Sequence, residues 1–393
     1  MPTEATFILA GLLILAAAMG WAFERLNRER DNQPPARISA DYIRGLNLVL
    51  NRKTDEALEL FVQIAKVDDD TLETHFALGH LFRRRGEVER AIRVHQNLLA
   101  RPSLSEAQRH QALFALAEDY LGAGLFDRAE TLFAELTTSE TLAQAALERL
   151  IDIYEREREW NKAIEAHRQL EARTGKTTSR VAHYFCELAE QARVEGNVAR
   201  AREYLNNTTQ SESGALRGAL IRAAIAKGEG GFDEAIGLYE RVIEADARFI
   251  ADVLPSLMEC YKETEGLARF DEYITRLVTR NTSLEKDFAY AAIIGELVES
   301  QALARCVESF VLGNEILTNL VDVDELGAAT RDRKSRAIQR IVRGLRQLAM
   351  SSARYRCMNC GYSTRRLIWH CPSCKEWETV RPTQSFQFDA LIA

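Results

Sequence analysis

Six alanines pace the body of this chain. Ala57, Ala91, Ala129, Ala163, Ala201 and Ala235 follow one another at intervals of 34, 38, 34, 38 and 34 residues. Four places after each stands a larger side chain: Phe61, His95, Phe133, His167, Leu205 and Tyr239. Twelve places before each stands a small or apolar one: Gly45, Gly79, Ala117, Ile151, Ala189 and Ala223. Three residues further on, most units carry a bulky residue, as at Leu48, Phe82, Tyr120 and Tyr154. A glycine recurs between the two halves of a unit, at Gly86, Gly124, Gly196 and Gly230. Such a period leaves few folds open. Each unit is a helix pair too small to bury its own apolar face, so neighbouring pairs must stack. Small residues let paired helices approach, and the larger ones fill the gaps between pairs.

The spacing resembles the tetratricopeptide repeat, with the longer steps absorbed in loops between units. A seventh, worn unit keeps Tyr261 and has Phe270 in the alanine's place. A further degenerate pair follows over 288–317, and "AIQRIVRGLRQLAMS" reads as a last amphipathic helix that could cap the array. The expected fold is all-α, a tetratricopeptide-repeat superhelical solenoid over 40–350. The first helices of such an array line a concave face suited to an extended peptide or a partner's helix. The plainer alternative is a spacer.

The two ends differ from the body. "ATFILAGLLILAAAMGWAF", Ala5 to Phe23, carries no charge. As a helix it would cover roughly 28 Å, close to a hydrocarbon core of about 30 Å. The preceding "MPTE" has no Lys or Arg, whereas Arg25, Arg28 and Arg30 follow. That asymmetry predicts an uncleaved N-terminal transmembrane helix with the body on the cytoplasmic side. Residues 1–31 are then anchor and flank, and the proline-bearing 32–39 is a linker.

At the other end, "RCMNCGYSTRRLIWHCPSCKEW" sets two Cys-x-x-Cys pairs ten residues apart. Cys357, Cys360, Cys371 and Cys374 can supply four thiolates to one tetrahedral metal ion. The pattern resembles a small rubredoxin-like zinc ribbon over 351–393, with Tyr362, Trp369 and Trp377 expected to pack beside its core. Zinc is the first expectation and iron the rival, since both accept four sulfurs. Four thiolates close the sphere, which argues against a catalytic ion. His370 is a possible rival ligand. An iron centre would make an electron carrier, but no flavin or nicotinamide motif supplies electrons. Cys186, Cys260 and Cys306 lie alone in helical patterns and read as small core residues.

No phosphate-binding loop, zinc-protease or nucleophile-elbow motif occurs, so no enzyme is expected. The net charge of −7 gives no overall reason to expect nucleic acid. Locally the charge inverts. Arg331, Arg333, Lys334, Arg336, Arg340, Arg343 and Arg346 precede the ribbon, and Arg354, Arg356, Arg365 and Arg366 lie in it. This stretch is a solvated face, or it meets anionic lipid, an acidic protein or RNA.

An uncharged N-terminal stretch, the repeats from Ala57 to Ala235 and a C-terminal quartet occur here in that order. Over essentially its full length the chain resembles the bacterial lipopolysaccharide assembly protein B family. The resemblance implies an inner-membrane adaptor without enzymatic activity. Its implied partners are a membrane-anchored AAA+ protease, the deacetylase that commits precursors to lipid A, an inner-membrane sensor protein that restrains it, and the bilayer through residues 5–23. A homo-oligomer is left open.

Overall fold

All six pacing alanines are fully buried, and so is Phe270 in the seventh unit. The structure, a computed structural model, describes residues 40–383 except 52, 68–71, 209–213, 265, 298 and 320–330. The expected membrane segment Ala5–Phe23 lies outside the described residues. Among those described, no helix is long and apolar enough to cross a membrane.

The described chain divides into two compact units at Ile153 and Tyr154. The first holds α1 (Ala40–Leu50), α2 (Thr54–Val67), α3 (Leu72–Arg85), α4 (Val88–Leu99), α5 (Glu106–Gly122) and α6 (Phe126–Leu136). α7 (Ala143–Glu157) crosses the division. The second unit continues with α8 (Trp160–Thr174), α9 (Arg180–Val194), α10 (Val198–Asn206), α11 (Ala215–Gly228) and α12 (Phe232–Ala245). A short 3-10 turn at Ala247–Phe249 leads into α13 (Ile250–Thr264), α14 (Leu267–Arg280), α15 (Leu284–Gly295), α16 (Gln301–Leu312), α17 (Glu315–Asn319) and α18 (Arg331–Ser351).

The pairing follows from side-chain size. A methyl group on Gly45 would lie 2.6 Å from the Phe61 ring, and one on Gly79 would lie 2.5 Å from His95. Each ring therefore rests on the bare backbone of its partner helix. Gly86, Gly124, Gly196 and Gly230 all have positive φ, the left-handed geometry that lets a helix turn sharply into its partner. The fourth unit makes the same turn with Arg158, at φ 59°. The worn units still pair: Tyr261 meets Phe270 edge-on, and Phe288 and Leu303 are fully buried. α18 ends the array, packing Ile341 and Leu345 with Ile293, Val311 and Leu317.

After α18 the chain leaves helix altogether. β1 (Tyr355–Cys357), β2 (Ser363–Thr364) and β3 (Val380–Pro382) form an antiparallel sheet in the order β2-β1-β3. Tyr355 pairs with Thr364 on one side and Pro382 on the other, and Cys357 pairs with Val380. Its core is small, built on Tyr355, Cys357, Cys371 and Val380.

A candidate metal centre seated on the repeats

Two turns of one design present the four cysteines. Gly361 N–H donates to the Cys357 carbonyl, and Lys375 N–H to the Cys371 carbonyl, each at 3.0 Å. Cys357 N–H reaches the Tyr362 carbonyl, and Cys371 N–H the Glu376 carbonyl. Each turn closes on a left-handed residue, Gly361 at φ 78° and Lys375 at φ 61°. The four sulfurs lie within 4.8 Å of one another. Cys357 Sγ is 3.7 Å from Cys374 Sγ, and Cys360 Sγ is 3.7 Å from Cys371 Sγ. Metal–sulfur bonds of about 2.3 Å give a tetrahedron with edges of about 3.8 Å, so the donor set could hold one tetrahedral metal ion. Burial resists ionisation of Cys357, but the Thr379 hydroxyl and the N–H groups of Cys360 and Asn359 outweigh it and pull the thiol down to about 6. These groups favour at Cys357 the thiolate that a metal needs, and the Glu376 N–H does so at Cys374, whereas burial pushes the Cys371 thiol up to about 11.

His370 is turned to another task. Its ring stacks on Trp377 at 4.6 Å, and Nε2 meets the Lys375 carbonyl at 3.0 Å. Nor do the aromatics simply wrap the ribbon's core. Tyr362 is exposed, and Trp369 and Trp377 pack on the helices of the second unit.

There Trp377 Nε1 donates to Glu155 Oε1 at 2.9 Å, at the end of α7. The Tyr184 hydroxyl on α9 donates to the same oxygen at 2.5 Å, and His167 Nε2 meets that hydroxyl at 3.0 Å. The hydroxyl proton is spent on Glu155, so the His167 ring is a neutral donor at Nε2. Burial, with the Arg180 cation adding to it, holds His167 down at about 4. Around this chain of bonds Trp377 stacks on His183 at 5.2 Å and meets Trp160 edge-on. Trp369 stacks on Phe249 at 5.8 Å, with the Arg217 guanidinium over it.

Charge frames the contact. Glu376 meets Arg180 at 3.2 Å, Glu378 approaches His183 at 3.5 Å, and the Tyr355 hydroxyl donates to Asp252. Burial pushes the Asp252 carboxyl up, against the pull of Tyr355 and Arg354. The ribbon therefore sits on α7, α9, α11 and α13, the first helices of their pairs. Sequence reasoning missed Glu155, Tyr184, His183 and Asp252 because the residues that contact them are roughly 100 to 220 positions away. A buried acid within a helical repeat was the one available signal.

The first unit has a groove of its own among the described residues. Its groove, of about 690 Å³, runs between α3 and α5 past Phe76, His80, Arg84, Gln111 and Phe114. Below it His95 Nδ1 meets Asp119 at 2.5 Å, and Arg83 holds the other oxygen at 2.7 Å. Buried His95 and Asp119, with partly buried Arg83, fix the floor while Arg84 and Gln111 face solvent. Several of the cations read from the sequence have structural work: Arg346 pairs with Glu296, Arg354 with Asp252, and Arg365 donates to the Ser351 carbonyl. Cys186, Cys260 and Cys306 are buried in the helical core.

Residues 355–382 match a family described as "Rubredoxin metal binding domain". Residues 74–107 and 114–176 match tetratricopeptide repeat families. The chain is 34% identical over 377 residues to lipopolysaccharide assembly protein B of Escherichia coli strain K12, covering 94% of this chain and 96% of that protein. It is 30% identical over 391 residues to the protein of the same name from Haemophilus influenzae Rd, covering 95% and 97%. Among solved structures, MamA of Desulfovibrio magneticus RS-1 covers 43% of this chain and 92% of its own, with TM-score 0.33 and 16% identity. A tetratricopeptide repeat protein from Parabacteroides merdae covers 77% and 97%, with TM-score 0.31 and 12% identity.

Proposed function

Because this chain belongs to the lipopolysaccharide assembly protein B family, we propose that it is an inner-membrane adaptor that regulates lipopolysaccharide synthesis. In this reading it presents the deacetylase that commits precursors to lipid A to a membrane-anchored AAA+ protease, and an inner-membrane sensor protein restrains it. One observation carries the reading: the two units use their first helices differently. In the second unit the first helices hold the chain's own ribbon, while in the first unit the groove past Phe76 and Phe114 stands open. A repeat face of this kind suits a protein ligand, and the reading assigns the chain no reaction of its own.

The parts take these roles. Ala5–Phe23 crosses the membrane, within an anchor and flank over 1–31, and 32–39 links it to the body. Residues 40–350 form the array and 351–393 the ribbon. Cys357, Cys360, Cys371 and Cys374 hold one zinc ion, whose closed four-sulfur sphere supplies folding energy and leaves no open position for a substrate. The anchor raises the local concentration of the body near a membrane-bound protease without any new contact.

The test is the half-life of the deacetylase in cells carrying the full chain at native level. Arg84→Glu with Gln111→Glu, both exposed in the groove, should lengthen it several-fold. Removal of residues 1–31 should do the same. Fast turnover with the groove variant would take the groove out of the account, and fast turnover without 1–31 would take out the anchor.

A further inference from the structure

From Arg333 to Lys375 the chain has no Asp or Glu and eleven Lys or Arg residues, within a protein of net charge −7. The fold sorts the charge of the ribbon further. Its carboxylates at Glu376 and Glu378 meet Arg180 and His183 of the repeats, and Glu378 also pairs with Arg381 on β3 of the ribbon itself. Arg356, Arg366 and Lys375 are exposed and make no ion pair among the described residues. Arg356 alternates outward on β1 between buried Tyr355 and Cys357, and its guanidinium lies against Gly361 of the first cysteine turn. On that turn and just beyond it stand two exposed apolar side chains, Met358 at 70% and Tyr362 at 39% exposure.

We infer that the exposed end of the ribbon is a docking surface for anionic phospholipid, with Met358 and Tyr362 entering the headgroup layer and Arg356, Arg366 and Lys375 meeting phosphates. Exposed cations in an acid-free stretch attract an anionic leaflet, and exposed apolar side chains on the same cysteine turn as a cation suit the depth profile of a bilayer interface. An acidic peptide would need a cleft to fix its path. Two grooves of the described residues lie elsewhere, past Phe76 in the first unit and along Asp271 and Arg305 in the second. This inference goes beyond the adaptor reading and needs no property of client or protease.

The test uses the full chain with the photo-crosslinking residue benzoylphenylalanine at Met358 or, separately, at Tyr362. The chain is placed in lipid nanodiscs of phosphatidylglycerol with phosphatidylethanolamine, or of phosphatidylcholine alone, irradiated and weighed by mass spectrometry. Lipid adducts should form at both positions in the anionic discs and fall at least fivefold in phosphatidylcholine. They should fall as far at high salt, or with Arg356→Gln, Arg366→Gln and Lys375→Gln together. A label at Ile316, exposed and remote in sequence, should give none. Metal content unchanged from the parent shows that each variant's ribbon has folded. Equal adducts in both lipids, no lipid adducts at either position, or adducts with RNA or protein alone would overturn the inference.

Discussion

Arg158 stands where four other turns of the array have glycine, and it holds the same left-handed backbone. A non-glycine residue there costs about 1–2 kcal/mol, offset by the roughly 0.4–1 kcal/mol that glycine adds to unfolded-chain entropy. Arg158→Gly should therefore stabilise the second unit by about 0.5–1 kcal/mol, read as a rise in its urea midpoint. A fall would mean that the arginine makes a compensating contact. The six buried alanines and the turn glycines were legible as soon as the period was seen, because each answers to a steric demand within its own unit. His167 was legible only as a filler of the aromatic position. Its folded value of about 4 lies below the usual 6.5, so the unfolded chain binds the extra proton between those values. The contribution is complete above about pH 6.5 and is lost as pH falls toward 4, roughly 2 kcal/mol by pH 4.5. His167→Phe should flatten that part of the stability profile. An unchanged slope would show that the acid sensitivity comes from other groups.

At the scale of elements, the ribbon is too small to hold together on its four-residue core without help. Its help comes from the seat on α7, α9, α11 and α13 and, in the proposed reading, from a metal ion on the four sulfurs. The four-sulfur donor set was legible, since two Cys-x-x-Cys pairs declare it within 18 residues. The seat was not, because Trp369 and Trp377 look alike whether they serve their own core or another surface. Cys371→Ser, or a chelator strong enough to strip the ion, should unfold the ribbon and free both tryptophans. The expected result is a red shift of tryptophan emission and increased hydrogen exchange at Tyr184 and Arg217, with helical circular dichroism nearly unchanged. Protection that survives metal loss would mean that the seat alone holds the ribbon. Purified from cells, the chain should carry one zinc and be colourless, whereas a red protein would assign iron and reopen the electron-carrier alternative.

For the whole molecule, the proposed function rests on a difference between the units: the first helices of the second carry the ribbon, and the first has its own groove. The period, the quartet and the family resemblance were all in the sequence, but the self-occupied stretch was not. Covering it takes residues from Glu155 to Asp252 together with Trp369 and Trp377, a juxtaposition that no local pattern encodes. The first unit's groove then becomes the place to look for a client. The most direct measurement puts a photo-crosslinker at Gln111 or Arg84 in the full chain, in cells that carry the deacetylase and the membrane protease, with a third label at Arg276 on α14. A deacetylase adduct is expected from the groove positions and none from Arg276. Deacetylase captured from Arg276 but not from the groove would contradict it.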